Sequence, residues 1–402
     1  MARHQIELYI HIPFCMKKCY YCDFLSGVFD VRMQKAYVNA LCTQIRFESA
    51  SLKDCEIISI YIGGGTPSWL DAEDMATIMN TVYDSFHVTG DAEISIECNP
   101  GTLTADKLST YRSVGIDRIS IGLQSANNDE LKELGRVHDY NRFLYTYDAV
   151  RKAGFDNVNV DIMTGLPYQT IEKLNHTLSS VALLRPEHIS AYSLIIEEGT
   201  PFYQKYKFDD VKQRAGMETE ALPTEEMAYK LYRHTIDFLT SKGYQRYEIS
   251  NYAKKGFACR HNIGYWKRTP YLGVGLGAAS LINNCRSSNH TDIYKYIDIA
   301  EKLQRQEFID YDYCSPFYDS FEKLSRQDAM EEFMFLGLRQ IEGIYRSDFY
   351  DMFGCDIEGV YGGVLTALKN KGMIGMSEGR IYMTDIGMDV SNQVLPYFLF
   401  DN

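Results

Sequence analysis

Short segments in which hydrophobic and polar residues alternate recur along the first half of the chain, separated by longer segments of helical periodicity. In the first segment, isoleucine and leucine occupy every second position. Strands that alternate with helices at this spacing predict a parallel sheet, either doubly wound or partly closed into a barrel. The predicted strands span 6–12, 57–62, 93–97, 117–124, 157–161 and 188–194.

Several residues that commonly precede helices stand in front of the helical segments. The side chains of Asp and Thr accept hydrogen bonds from the first free backbone N–H groups of a helix. We therefore expect helices to begin directly after four such positions. These are Asp30, Asp71, Thr104 and Thr224.

One face of each predicted strand is polar. In 93–97, two isoleucines alternate with Glu, Ser and Glu, whereas a packed barrel interior would be filled by Val, Ile and Leu. We therefore predict a partial barrel with a polar, ligand-filled lumen. The alternative is that these groups pair with one another for structural reasons, because buried polar groups need partners. Near the carboxyl ends of the strands we expect Tyr9, Glu97, Gln124 and Asp161.

A glycine-rich turn, 63–66, follows the second predicted strand. Glycine admits positive φ and lets the backbone approach a ligand closely, although a plain tight turn would have the same sequence. Glu97, at the end of the third strand, is suited to accept hydrogen bonds from ribose hydroxyls.

Three cysteines form a C-x3-C-x2-C array directly after the first predicted strand: Cys15, Cys19 and Cys22. A 4Fe–4S cluster normally has four cysteine ligands, so three would leave one iron open to another ligand. The alternative is a zinc site, which would need a fourth ligand nearby. Cys42 falls in a predicted helix and His11 lies on the preceding strand, so the array favours the cluster.

A second candidate site is the segment R-H-N-I-G-Y-W at 260–266. His261 is open to two interpretations, a hydrogen-bonded loop histidine or an axial ligand of haem iron. In the second case, Tyr265 and Trp266 would offer flat surfaces to a macrocycle.

The end of the chain predicts a small winged-helix-like module. Helical patterns occur at 328–338, from 347 and at 357–368, and 373–383 is typical of a hairpin that turns at 378–379. Winged helices often bind DNA, but the net charge of −13 argues against binding by phosphate neutralisation. We expect this module to pack or to bind a partner, with no nucleic acid.

The overall composition and length indicate the class of protein and the number of domains. The chain has 402 residues, of which 45% are hydrophobic and 24% charged, as in globular proteins. This length exceeds the size at which a single hydrophobic core keeps growing, so we predict more than one domain. The predicted divisions are 1–240 (partial barrel), 241–310 (bridging segment) and 311–402 (winged-helix-like domain). With no long apolar run or signal peptide, the expected location is the cytoplasm; peripheral attachment to the inner face of the membrane stays open.

Taken together, these motifs resemble the radical S-adenosylmethionine (SAM) superfamily, and within it the group around oxygen-independent coproporphyrinogen III oxidase. The resemblance implies an α/β fold, a partial parallel (β/α)6 barrel with a C-terminal helical domain. It covers almost the whole chain. The matching segments are Y-I-H-I-P-F-C-x3-C-x2-C, G-G-G-T-P, I-x-I-E, S-I-G-L-Q-S, D-I-M-T-G-L-P and E-E-F-M-F-L-G-L-R.

The same resemblance implies the cofactors. Cys15, Cys19 and Cys22 would hold a 4Fe–4S cluster, and SAM would chelate its fourth iron through the amino and carboxylate groups. The residues implied in SAM binding are Tyr9, Tyr21, Gly64, Gly65, Thr66, Glu97, Gln124, Arg136 and Asp161.

Two departures separate this chain from the true oxidases. Phe24 stands where they carry a further cysteine, and only eight residues precede Tyr9, where they carry an N-terminal arm. Conversely, H-N-x-x-Y-W is the hallmark of haem chaperones that resemble the oxidase but lack its activity. His261 is therefore the leading candidate haem ligand.

The expected function is that of a haem chaperone, which binds haem, the cluster and SAM and transfers haem to respiratory haem proteins. We assign no catalytic residue, and we expect an electron donor such as flavodoxin or ferredoxin only if SAM is cleaved. Whether the chain forms a homodimer stays open. The alternatives are an oxidative decarboxylase of coproporphyrinogen III and a radical SAM enzyme that opens or methylates the haem ring.

Overall fold

Six parallel strands form the centre of the fold, as the alternating segments predict. The structure is a computed structural model, and it describes residues 3–307, 310, 313–377 and 379–400. Each strand pairs in parallel with the next one along the chain. The strands are β1 (His4–Ile12), β2 (Cys55–Gly64), β3 (His87–Cys98), β4 (Arg118–Gln124), β5 (Asn157–Thr164) and β6 (His188–Ser193).

Helices connect these strands and cover one face of the sheet. The alternating isoleucines, such as Ile10, Ile62 and Ile96, are buried in one large hydrophobic core, which leaves the polar residues on the opposite face. No helix in the described ranges is both long and apolar enough to cross a bilayer. The helices are α1 (Val31–Ser49), α2 (Ala72–Ser85), α3 (Ala105–Ser113), α4 (Asn128–Glu133), α5 (Tyr140–Lys152) and α6 (Ile171–Leu184), with a 3-10 turn at Pro67–Trp69.

Four helices begin where the sequence predicts them, and three have the expected cap. The side chains of Asp30, Thr104 and Thr224 each accept a hydrogen bond from the third N–H group of the helix that follows. Asp71 also precedes its helix but makes no such bond.

Further strands extend the sheet on both sides, and the sequence did not predict them. β9 (Tyr271–Val274) pairs with β1, and β8 (Asn251–Ala253) pairs with β6, so the twelve-stranded sheet stays open within the described residues. The added strands are short and lack an apolar alternation, for example C-R-S-S-N in β11 (Cys285–Asn289). The elements are α7 (Pro201–Arg214), α8 (Glu225–Ser241), β7 (Gln245–Arg246), β8 (Asn251–Ala253), α9 (Arg260–Trp266), β9 (Tyr271–Val274), β10 (Ala279–Ile282), β11 (Cys285–Asn289), α10 (Ile293–Gln304) and β12 (Tyr318–Lys323).

The end of the chain forms a second hydrophobic core, with the predicted three helices and hairpin. Glu378, expected in the hairpin turn, lies outside the described residues. The α/β fold with its C-terminal domain is confirmed, and the division at 240 and 310 stays a prediction. The elements are α11 (Arg326–Gly337), β13 (Ile344–Tyr345), α12 (Arg346–Phe353), α13 (Ile357–Asn370), β14 (Ile374–Ser377), β15 (Arg380–Met383), α14 (Asp385–Asp389), α15 (Ser391–Val394) and a 3-10 turn at Leu395–Phe398.

Candidate functional site

The three cysteines of the array lie on the loop that follows β1. The loop is closed at its base, where the Cys15 N–H group donates to the Gly27 carbonyl at 2.9 Å. Cys15, Cys19 and Cys22 are all free thiols and half-buried. A short closed loop of this kind holds three thiols at one edge of the sheet, beside the carboxyl ends of the strands.

The glycine turn after β2 approaches this loop closely. The Cys15 Sγ atom lies 3.6 Å from the Thr66 hydroxyl. A Cβ atom at Gly65 would lie 3.0 Å from the same sulfur and 2.9 Å from the Phe14 carbonyl. Glycine is therefore required by this close approach, and its backbone borders the space in front of the Cys15 thiol.

The chemistry of three thiols suits an iron–sulfur cluster, because cysteine thiolates are the usual ligands of its irons. Within the part of the chain that the structure describes, no three His, Cys, Asp or Glu side chains are arranged to hold one ion. In a 4Fe–4S cluster each cysteine binds a separate iron, so the thiolates need not share the spacing of ligands around one ion. The three cysteines as cluster ligands stay a prediction.

Arg136 connects the cysteine loop to the strand ends. Its guanidinium donates to the Cys19 sulfur at 3.4 Å, to the Gly122 carbonyl at 2.7 Å and to the Asn99 side chain at 2.5 Å. Asn99 in turn donates to the Thr66 hydroxyl at 2.8 Å. Asn99 was not among the predicted site residues, although it lies only two positions after Glu97 at the same strand end.

These side chains border a cavity of about 640 Å³. Cys19, Thr66, Asn99 and Arg136 are among the residues that line it. The volume is in the range of small-molecule sites, and a cofactor of the size of SAM is compatible with it. Tyr21, on the cysteine loop, packs against Phe202, and burial raises the pKa of its phenol while the Arg136 charge opposes that rise.

Two predicted carboxylates lie together in the lumen. Glu97 accepts hydrogen bonds from the Tyr61 hydroxyl at 2.9 Å and from the Gly64 N–H group at 3.2 Å. Asp161 accepts from Ser120 at 3.1 Å and from Asn159 at 2.7 Å. Burial, reinforced by the charge of Asp161, raises the pKa of Glu97 to about 7.

The sequence allows two interpretations of the polar lumen, a ligand site or structural pairing of the polar groups, and these contacts agree with both. The carboxylates are paired within the protein, as the structural alternative expects. They also lie at the strand ends where a ligand would meet them. Near neutral pH part of Glu97 is ionised, and the carboxylate can accept a hydrogen bond from a ligand hydroxyl.

The backbone is unusual at the strand ends. Gln124 ends β4 with a φ of 74°, a left-handed conformation that is uncommon for residues other than glycine. The pairing of β4 with β5 shifts register at the same point. Gly64 has a φ of 116°, and a Cβ atom there would lie 2.7 Å from the His11 ring. Strained positions of this kind cluster at ligand sites.

The inner faces of β1 and β2 also carry stacked aromatic residues. The Tyr9 hydroxyl lies 3.0 Å from the His11 Nδ1 atom. The Tyr9 ring stacks at 6.4 Å on Tyr61, whose hydroxyl reaches Glu97. Tyr61 was not among the predicted site residues, although the alternation of 57–62 already placed it on the polar face.

His261 lies on a helix, α9, and not on a loop. Its side chain is only 1% exposed, and its ring stacks on Tyr61 at 5.3 Å. The Nδ1 atom lies 2.9 Å from the Ser59 hydroxyl and the Nε2 atom 3.1 Å from the Tyr265 hydroxyl. Burial, together with the nearby Arg118 charge, lowers the pKa of His261 to about 3, so the ring is neutral near pH 7.

The donors and acceptors around His261 are consistent with one tautomer of its ring, which carries the proton on Nδ1. Ser59 donates to the Glu7 carboxyl at 3.1 Å, so its oxygen is free to accept from an Nδ1–H group of His261. The Nε2 atom then carries the lone pair and accepts from Tyr265. A neutral imidazole with a free lone pair is the form that binds iron, and here the Tyr265 hydroxyl would have to move before Nε2 could do so. His261 as a haem ligand stays a prediction.

Helix α9 fills the lumen next to the inner face of the sheet. Glu7, Ser59 and Glu93 are neighbours in the register of the first three strands, and all three are buried. Glu93 accepts from the Arg260 N–H group at 2.9 Å. A Cβ atom at Gly264 would overlap the Glu7 carboxyl. The helix therefore depends on glycine to come close enough to pair with these groups.

This contact predicts the effect of a single methyl group. Gly264→Ala should lower the free energy of unfolding by about 1–3 kcal/mol, because overpacking forces the helix away from Glu7. The matched control is Gly363→Ala in α13, where a Cβ atom meets nothing within 4 Å. Because alanine favours helix more than glycine does, the control should not destabilise the protein. Equal effects of both variants in urea unfolding would contradict the close contact.

A second prediction concerns pH. Burial, which outweighs the Ser59 hydrogen bond, raises the pKa of Glu7 from 4.5 to about 8. Since the folded state then binds the proton more tightly than the unfolded state, the stability from this group is lost as pH rises from about 4.5 to 8. The free energy of unfolding of Glu7→Gln, taken relative to that of the wild type, should therefore rise by about 3 kcal/mol between pH 5 and pH 8. Urea unfolding of both proteins at both pH values measures this difference in free energy. The same difference at pH 5 and pH 8 would contradict the raised pKa.

Two family models match the chain. The first is described as the Radical SAM superfamily and matches residues 9–181. The second is described as the HemN C-terminal domain and matches residues 324–390. Together they cover the end of β1, the strands β2 to β5 and most of the second hydrophobic core.

Whole-chain comparisons are more specific. A protein of Bacillus subtilis named heme chaperone HemW is 34% identical over 97% of this chain and 98% of its own. A protein of the same name from Lactococcus lactis is 33% identical over 100% and 99%. The solved structure of coproporphyrinogen III oxidase (HemN) from Escherichia coli covers the whole chain and 91% of its own with a TM-score of 0.81, and at 24% identity it shows the fold alone. The chain belongs to the HemW family of the radical SAM superfamily.

Proposed function

We propose that this protein is a haem chaperone, which binds haem and transfers it to respiratory haem proteins. The observation that supports this most is the similarity to two proteins named heme chaperone HemW over nearly their whole length. The segment H-N-x-x-Y-W, on α9, adds a neutral histidine beside the lumen. The proposed location is the cytoplasm.

The cluster and SAM belong to the same proposal. Cys15, Cys19 and Cys22 would hold a 4Fe–4S cluster, which when bound to SAM supplies the means to cleave it reductively. The chain's own residues would bind and orient SAM. Arg136 and Asn99 fix the edge of the cavity next to the thiols, and Glu97 offers a carboxylate to the ribose. If SAM is cleaved, an electron donor such as flavodoxin or ferredoxin is required.

Phe24 distinguishes this proposal from oxidase activity. It occupies the position at which the oxidases have a further cysteine, and it is 64% exposed. No ligand chemistry is available to its side chain. We therefore propose that coproporphyrinogen III is not decarboxylated.

Haem titration tests the chaperone proposal. Anaerobically reconstituted protein should bind haem in a saturable manner, followed by its visible absorption. His261→Ala should weaken binding by about ten-fold or more, because an axial ligand is lost. The matched control is His87→Ala, at an exposed histidine at the start of β3, and it should bind haem like the wild type.

The same reconstituted sample should be incubated with coproporphyrinogen III. Robust turnover without stable haem binding would overturn the chaperone proposal in favour of the oxidative decarboxylase. Haem binding that is unchanged in His261→Ala would leave the function and remove this residue as the ligand.

The cluster ligands can be tested separately. Cys19→Ser should abolish the visible absorption of the cluster after reconstitution, because a serine hydroxyl is a poor ligand for these irons. Cys355→Ser, in the second hydrophobic core, is the matched control and should retain the full absorption. A complete cluster in Cys19→Ser would show that another cysteine, such as Cys42 or Cys55, is the ligand.

A further inference from the structure

A second cavity, of about 390 Å³, lies between α9, the strands β9 and β10, and α11 of the second core. Tyr9, Tyr265 and Tyr271 line one part of it. The rings of Tyr265 and Tyr271 are 4.7 Å apart and nearly perpendicular. With Leu281 and Phe335 also in the lining, the cavity offers mainly apolar and aromatic surface.

Three charged side chains line the rest of this cavity. Arg268 donates to Glu332 at 2.9 Å, and Arg286 donates to the other oxygen of the same carboxylate at 2.5 Å. Glu332 therefore fixes two guanidinium groups side by side. The side chains of Arg268 and Glu332 are 8% and 12% exposed, and that of Arg286 is 39% exposed. The outer arginine is thus accessible to a ligand.

The charges of this group do not cancel. Two arginines face one carboxylate, which leaves a net positive charge next to apolar surface. A charge in a partly buried site attracts a counter-charge more strongly than it does in water, and arginine pairs with carboxylates through two parallel hydrogen bonds. The occupant that fits has a flat apolar body and an anionic edge.

The cavity also adjoins the candidate haem ligand. Tyr265 lines it and, through its hydroxyl, lies 3.1 Å from the His261 Nε2 atom. The volume is at the low end for ligand sites, so it suits one edge of a macrocycle and not the whole of it.

We infer that Arg268 and Arg286 bind the carboxylates at the edge of a haem, the flat body of which contacts Tyr265 and Tyr271. This inference rests on the proposed function and names the groups that recognise its cargo. Glu332 acts as a positioning residue, because each of its carboxylate oxygens accepts a hydrogen bond from one of the two guanidinium groups.

The test compares haem with its dimethyl ester, which has the same macrocycle but no carboxylates. Wild-type protein should bind haem about ten-fold or more tightly than the ester. Arg286→Gln should remove most of this preference. It should weaken the binding of haem by about ten-fold and the binding of the ester by less than three-fold. Arg268→Gln should do the same. Arg305→Gln, at an exposed arginine that follows α10, is the matched control and should leave both affinities unchanged.

Arg286 is the first choice for substitution because its side chain is the most exposed of the three. Far-ultraviolet circular dichroism and the cluster absorption report whether each variant folds. Equal affinities of the wild type for haem and ester, or equal weakening of both in Arg286→Gln, would overturn the inference and leave the chaperone proposal standing. If the wild type binds neither, the proposed function itself fails.

Discussion

The close contact between α9 and the inner face of the sheet is the interaction on which the site depends. The polar residues that line the lumen are buried, and a buried polar group without a partner costs about 1–3 kcal/mol. Helix α9 supplies the partners, with a backbone N–H group for Glu93 and the His261 ring for Ser59. Only glycine at 264 permits this approach to Glu7. The same contact thus pairs Glu93 and Ser59 and fixes the position of His261.

A consequence of this packing is that the lumen has two distinct regions. At the carboxyl ends of the strands, the cysteine loop, Arg136 and Asn99 border one cavity. Beside α9, Tyr265 and two arginines border another. Tyr61 contacts both Glu97, through its hydroxyl, and His261, through its ring. The proposed function needs separate places for SAM and for haem, and the two cavities are suited to that division.

Much of this could be predicted from the sequence, because alternation and helical periodicity report burial directly. The six parallel strands, the helix starts and the C-terminal module followed from it. The flanking strands did not, because short polar strands such as β11 and β12 form by pairing with neighbours and lack a pattern of their own. The engagement of His261 by Tyr265 was also missed. These residues are four apart, which makes them neighbours only on a helix, and the interpretation of His261 as a loop histidine does not bring them together.

We propose that the cluster with SAM and the haem occupy separate places in one chain. Mössbauer spectroscopy tests it, with ⁵⁷Fe in the cluster and unlabelled iron in the haem. Addition of SAM should change the signal of one iron in four, because only one lacks a cysteine, and haem added afterwards should leave that signal as it is. Four irons that do not respond to SAM, or a SAM-dependent signal that haem abolishes, would contradict the account.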